Sequence, residues 1–596
     1  MRLLASLNLA GGLVQGSSLS PSRDHAATTN LASHSHAEAN AFGIFNTVLA
    51  GMRQWDSSVH HNGMAFVPAQ VPEGTLLYHG GISAEVPDTL EWLAFEIEHA
   101  QNFARSFRGD WKPRFPPPGT KPGKKPPAGP GVGPIKPPHS GAPKGGHRPD
   151  DTTGHRGYLH TYRATRPLKM LYLDGMAAAK AMFGPLDQQD LILATKPIEP
   201  GYSSEFERAT QICDLFSPIG VDGIIRMEAG FEIIHCNFSS GLEQLSATRQ
   251  PYPDTEPWFG PVSTFQWLRA VARRYDGIGA HRVQLSWSGA VAGWWYPFNT
   301  SSLDPAFASL PRFEQASPKM RAAIRADVVQ AMSQDWPPAA SVDWQGVVDM
   351  VAGRFSRRLE ALAAADADPQ LFVTQVMETA APYFNTPLQD DEKKGQAENE
   401  LSKSSPEETA VDRCVDSFFY PVVPLIPKFT TADNLIYVAL TNVTREICTA
   451  MFDARSILLT AAPKTAAHLD QRPPPGGRPE DEKPPLNHVL IPAVPKAQPI
   501  IQALVKKLDW AEWKRCYGCK YNEECFIAMF PFGTPEDHFR PQCFNDTAMH
   551  EHAMLSMGNS YWRTGMKDRQ ETHLDVSEEM EENPEHEQQV MMMGDL

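Results

Sequence analysis

The clearest periodicity in the chain lies between Val342 and Ala365, where Trp344, Val348, Val351, Phe355, Leu359 and Leu362 recur at spacings of three and four. That spacing puts them on one face of an amphipathic helix. A further helical stretch is expected over Leu435–Ala454. The first part of the chain behaves differently, with short apolar or alternating runs broken by glycine. Gly74-Thr75-Leu76-Leu77-Tyr78-His79-Gly80-Gly81 predicts a buried strand that delivers a histidine at its end, with glycine backbone after it free to approach a ligand. Gly157–Asp174 holds two strand-like runs, and Gly220–Cys236 reads as strand, turn, strand with Glu232 inside the second apolar run. Pro87–Phe107 admits two readings. Asp88 and Glu91 have capping-box spacing ahead of a helical stripe of Leu93, Ile97, Ala100, Ala104 and Phe107, whereas Trp92–Phe95 also fits a short strand.

These patterns predict an α+β protein with a mixed-sheet first domain over 41–250, a mainly helical region over 261–461 and a small cysteine-rich end over 496–564. Proline, 53 residues in all, marks the joints. Lys112–Asp150 is a Pro/Gly/Lys tract with little to bury, and is expected to be a disordered, dispensable insertion. A charged linker over 389–408, a Pro-rich linker over 463–485 and an acidic tail over 568–596 complete the organisation, and 18–40 is expected to be flexible. The last segment is short and poor in apolar residues beyond its aromatics, so it is expected to be a separately stapled unit that depends on its disulfides.

A net charge of -16 over 596 residues argues against nucleic acid as a partner, because phosphate contacts need a basic face. No apolar run approaches the roughly 20 residues that span a bilayer. Residues 1–17 have the layout of a secretory signal, one positive charge before a short apolar stretch and small residues. Eight cysteines, an even number, suggest disulfides in an exported chain, with Cys213 expected to pair with Cys236, Cys414 with Cys448, and the last four among themselves. Asn237, Asn299, Asn442 and Asn545 head glycosylation sequons. The expected localisation is therefore extracellular, and a host or cell-surface protein is a candidate partner. Cys516-Tyr517-Gly518-Cys519 has a spacing that permits zinc, but with an export signal two disulfides are the better reading, and no metal site is assigned.

Four pieces, 74–81, 87–107, 157–174 and 220–236, resemble the ADP-ribosyltransferase superfamily in the branch with a histidine on its first core strand. The resemblance covers about a quarter of the chain. It implies NAD as substrate, with His79 contacting the ribose and Glu232 as the late catalytic glutamate. Tyr78 and Gly80 would flank the ligand, and Trp92, Phe95 or Tyr162 would stand beside the nicotinamide. A carboxylate there stabilises the oxocarbenium-like sugar left when nicotinamide departs. The same pieces, with the downstream helices and cysteines, also resemble a set of uncharacterised secreted fungal proteins. The rival class is a non-catalytic secreted interaction protein that keeps the fold without the chemistry. The two readings separate on whether His79 and Glu232 face one cleft.

Overall fold

The computed structural model describes residues 32–108, 154–198, 204–252, 261–274, 282–307, 309–334, 342–384, 406–461, 489–556 and 561–563. The signal-like segment, the Lys112–Asp150 tract, nearly all of 389–408, the 463–485 linker and the acidic tail lie outside them.

The strand-like runs become strands. They are β1 (Asn62–Val71), β2 (Leu76–Gly81), β3 (Glu91–Ala94), the short ladder β4 (Phe107–Arg108) with β5 (Gly154–His155), then β6 (Tyr158–Ala164), β7 (Leu168–Gly175), β8 (Gly223–Glu228), β9 (Gly230–His235), β10 (Leu242–Arg249), β11 (Gln284–Leu285) and β12 (Val291–Ala292). All but β4 and β5 build one ten-stranded sheet in the order β10-β6-β2-β3-β9-β8-β7-β1-β11, with β12 also on β1. It is mixed: β7 and β8 run parallel, and its other strand pairs among the described residues are antiparallel. β1, β7, β8 and β9 are buried almost throughout, as expected for strands covered on both faces.

The helices are α1 (His34–Ala39), α2 (Ala41–Ala50), α3 (Gln54–Val59), α4 (Ile97–Gln101), α5 (Glu205–Phe216), α6 (Pro261–Arg274), α7 (Pro318–Met332), α8 (Trp344–Ala363), α9 (Pro369–Ala380), α10 (Pro406–Phe419), the 30-residue α11 (Thr431–Thr460) and α12 (Val494–Leu508). The stripe read from Val342–Ala365 is the buried face of α8, and Asp343 caps it by accepting from the Gly346 amide at 2.8 Å. α11 starts with a capping box, Thr430 with Asp433. The Asp433 carboxylate also accepts from Trp344 Nε1 at 2.8 Å and from the Ser288 hydroxyl at 2.7 Å, which ties two helices to the sheet's β11–β12 segment.

Three sequence expectations change. The stripe at Leu93–Phe107 is not one helix. Glu91–Ala94 is the strand alternative, because it is wedged between β2 and β9 and both of its edges are paired. α4 is only the short piece that follows, so Asp88 and Glu91 form no capping box. The flexible stretch expected over 18–40 gives way at its end to α1, which buries Ala37. The C-terminal segment is not a separate unit. Trp510, Phe526, Ile527, Phe532 and Trp562 belong to the same apolar core as Ala37, Phe66, Leu173 and Trp344. Trp510 stacks on Phe45 at 5.6 Å, and Tyr561 bonds His61 at the head of β1 at 2.7 Å. A segment too small to bury its own core has solved that problem by sharing a larger one.

All eight cysteines are in disulfides: Cys213–Cys236, Cys414–Cys448, Cys516–Cys525 and Cys519–Cys543. The local pairing expected from the sequence is what forms, and the Cys-x-x-Cys sulfurs are consumed rather than left for zinc. No helix among the described residues is long and apolar enough to cross a membrane.

Candidate functional site

Strand register decides which of the sequence candidates can meet. Tyr78 stands opposite Ala94, and Ala94 opposite Glu232. Directly opposed residues share a face of a sheet and successive residues alternate. Glu232 and Tyr78 therefore point to one face and His79 to the other. The common pocket expected for His79 and Glu232 does not form.

On the His79 face, the ring's Nδ1 lies 2.8 Å from the Trp92 carbonyl, so it carries the proton and donates. Burial, only partly offset by that bond, drops the His79 pKa to about 4, and the ring is neutral at pH 7. His160 packs edge-on against it at 5.4 Å, Phe238 at 5.7 Å, and Tyr162 stacks on His160. Tyr162 is buried in this cluster rather than offered to a ligand. Gly80 leaves no approach for a substrate, since a Cβ there would lie 2.1 Å from the Ala100 carbonyl oxygen. The glycine makes room for α4. Trp92, on the Glu232 face, packs with Phe206, Ala209 and Cys213 of α5, and Phe95 lies under the Arg282 guanidinium.

Glu91 shares the His79 face beside His235, its opposite residue on β9. Its Oε2 is buried without a partner among the described residues. Burial raises its pKa to about 8. A carboxyl raised in the folded state adds stability that is complete below its unfolded pKa and lost as pH climbs through the folded one. Glu91→Gln should therefore match wild type near pH 4.5 and become more stable from there to about pH 8, by about 3 kcal/mol at pH 7. Denaturant midpoints of the two proteins across that range check it; the shared histidines cancel in the difference. A constant offset at every pH would show that Glu91 does not titrate as described.

Glu232 belongs to a different assembly. Beside it on β8, Arg226 is fully buried and donates from Nε to Glu232 at 2.8 Å, from one terminal nitrogen to Gln189 at 3.0 Å, and from the other to Glu205 of α5. Arg208, also fully buried, joins Glu205 to Asp190. Glu228, on the same face of β8, is held by Lys180 at 3.3 Å and His99 at 3.2 Å. Desolvation pushes the carboxyl pKa values up and the nearby cations pull them down. The cations win at Glu205 and Glu228, both brought to about 2, while burial wins at Glu232, which is raised. Buried charges persist only when paired in this way.

The network is joined to a cleft by a π-helix, Gln188–Leu193. Such helices are rare and concentrate at functional sites. Asp187, just before it, accepts from Arg312 at 2.7 and 3.0 Å. Gln188 reaches Ala65 and Asp174 across the sheet, Gln189 holds Arg226, and Asp190 holds Arg208. Gly184 takes φ +120°, and a Cβ there would strike Arg312 at 2.2 Å, so this glycine seats the guanidinium. In front lies a cleft of ≈ 580 Å³ whose walls include Lys180, Asp190, Lys196, Arg312, Glu314 and Arg321. That volume suits a small molecule. Its acids are committed, Asp187 and Glu314 to Arg312 and Asp190 to Arg208. Lys196 and Arg321 have no carboxylate partner among the described residues. Arg321 donates to a main-chain carbonyl at 2.8 Å, and its Nε is buried with no acceptor.

The sequence reading reached Glu232 but missed Lys180, Asp190, Arg226 and Arg321. One signal was there: Arg226 interrupts the apolar run Ile224-Ile225-Arg226-Met227 as Glu232 interrupts the next, and two buried opposite charges on consecutive strands call for each other.

Residues 34–256 match the family model of the YPL277C N-terminal domain. Over 563 residues, 83% of each chain, the protein is 25% identical to the uncharacterised protein YOR389W of Saccharomyces cerevisiae. Over 216 residues, 35% of this chain and 42% of the relative, it is 36% identical to the uncharacterised protein YPL277C of the same yeast. No solved structure matches. The likeness is to uncharacterised fungal proteins, and no resemblance to an ADP-ribosyltransferase emerges from these matches. The matched stretch contains β1–β10, the π-helix and the buried network, whereas Arg312 and Arg321 lie beyond it.

Proposed function

We propose that this chain is an exported protein that binds an anionic small molecule, carrying phosphate or carboxylate groups, in the cleft in front of the π-helix. The observation that carries the reading is Arg321, a guanidinium on the cleft wall with a buried, unpartnered Nε and no carboxylate to neutralise it. A cation without a counter-ion on a cleft wall is matched by a carboxylate or phosphate, through charge-assisted hydrogen bonds. NAD, the substrate implied by the sequence resemblance, is an anion of this class and heads the list of probes. Transfer chemistry is left out: Glu232 is not among the cleft-lining residues and is paired with Arg226, and His79 lies on the opposite face of the sheet. The reading is thus nearer to the binding protein than to the transferase. A thermal-shift panel of NAD, ADP-ribose, citrate and inorganic phosphate tests it. At least one should stabilise the wild type and fail to stabilise Arg321→Glu. No response to any probe, or an equal response in both proteins, would refute it.

Export rests on four disulfides with no free cysteine, the signal-like start and the sequons. Asn237 and Asn299 are exposed, Asn442 is half-buried within α11, and Asn545 uses its side-chain oxygen to cap the helix that follows. Glycopeptide mapping of protein secreted by a fungal host should find glycans on Asn237 and Asn299 and none on Asn442. Retention in the cytosol with free thiols would contradict export.

A further inference from the structure

The buried network offers more than ion pairing. One imidazole nitrogen of His99 and one carboxylate oxygen each of Glu228 and Glu232 lie within 4.8 Å of one another, and all three residues are buried. Ligands of a single transition-metal ion stand about 2.0–2.2 Å from it, hence about 3–4 Å from each other. The three groups therefore need only a small contraction to share one. We propose that His99, Glu228 and Glu232 form a divalent-cation site, of the kind that takes zinc or manganese, and that Lys180 is the competing counter-ion that occupies its place when the metal is absent.

Rigidity supports this. Glu228 and Glu232 sit on two strands joined by the tight turn Glu228-Ala229-Gly230, where Gly230 takes φ +105°. Gln54 clamps that turn by donating to the Glu228 carbonyl at 2.9 Å and accepting from the Gly230 amide at 3.0 Å. Trp267 donates to the Ala229 carbonyl at 2.8 Å and stacks its ring on His99 at 5.3 Å. The ligand set is thus held by a hairpin and by a ring fixed to that same hairpin. His99 turns Nε2 to Glu228 at 3.2 Å, and its Nδ1 is buried with no partner among the described residues. A cation bound there would displace the Nε2 contact to Glu228, leaving that nitrogen as the ligand atom.

Charge supports it as well. The assembly holds four carboxylates, Asp190, Glu205, Glu228 and Glu232, against three cations, Lys180, Arg208 and Arg226. The two arginines are locked by bonds to three of these acids and to Gln189. Lys180 makes one ion pair, to Glu228 at 3.3 Å, with its ammonium 5.2 Å from the Phe530 ring, and it also lines the cleft. If its flexible stem swings into the cleft, two negative charges remain uncompensated, which a divalent ion neutralises. One imidazole with two carboxylates is a donor set suited to zinc or manganese. Lys180 links the site to the cleft, since it pairs with Glu228 and also lines the cleft wall. The site does not depend on what the cleft binds.

The distinguishing test exploits the competition. Full-length protein is stripped with EDTA, offered Zn²⁺ or Mn²⁺ alone, desalted, and assayed for bound metal by mass spectrometry and for thermal shift. Wild type should hold one equivalent. Lys180→Met should bind about tenfold more tightly, since a competing charge beside the ligands is gone. Glu228→Gln and His99→Gln, each checked for native circular dichroism, should lose the metal. A folded Lys180→Met that retains no stoichiometric metal overturns the proposal. So does metal retained in both ligand variants, which would place it on other histidines.

Discussion

Arg226→Met should destabilise the protein by about 3–5 kcal/mol, among the largest effects of any single substitution in this chain. The methionine fills most of the space, so packing is little disturbed. What is lost is the charge that holds Glu232 and Glu205 inside the fold, and Gln189 loses its donor as well. Burial by itself would lower the arginine's own pKa, yet Glu205 and Glu232 more than reverse that and raise it, so this side chain stays charged at any accessible pH. Removing one partner of a buried set leaves the others unpaired, whereas removing all can be nearly neutral. The double variant Arg226→Met/Glu232→Gln should therefore recover part of the loss. Denaturant midpoints for the three proteins check both statements. A single variant within 1 kcal/mol (order of magnitude) of wild type would mean that the network carries little of the stability.

Truncation after Ser556 should be comparably damaging, by about 3–5 kcal/mol, the scale of deleting one large buried aromatic. It removes Trp562, which is 1% exposed, stacks on Phe183 at 5.7 Å and donates to the Phe532 carbonyl at 2.9 Å. It also removes Tyr561, whose hydroxyl meets His61 and whose ring stacks on His538 at 4.9 Å. A chain ending after Lys567 lacks only the acidic, Met-rich run and serves as the control. Protease sensitivity should rise across the whole sheet in the first truncation and stay at the wild-type level in the second. Enhanced cleavage confined to 496–556 would restore the picture of a separate C-terminal unit.

How far the sequence could be read depended on the range of the interactions involved. The α8 stripe and the Gly220–Cys236 hairpin were legible because a helix face and two short apolar runs about a glycine turn are local patterns. Pro87–Phe107 was ambiguous because Leu93 satisfies both periods. The choice was made by β2 and β9 closing on either side of it, an interaction that local spacing does not encode. The His79–Glu232 pair failed for a related reason. Each residue was rightly placed on a strand, but a one-residue difference in register moves a side chain to the other face, and register across three strands is fixed only in the assembled sheet. The C-terminal segment misled through its own composition: its aromatics looked like the centre of a small core and are instead part of a large one. Lys180, Asp190 and Arg321 became candidates only when the π-helix and α7 met across the cleft.

The central claim is that the binding site of this protein is the cleft in front of the π-helix and not the strand end at His79. Calorimetric titration of the tightest-binding anion from the panel into wild type, Lys196→Glu/Arg321→Glu and His79→Ala tests it most directly. Binding should be unchanged in His79→Ala and lost in the double variant, with both variants folded. Binding lost in His79→Ala and preserved in the double variant would contradict it.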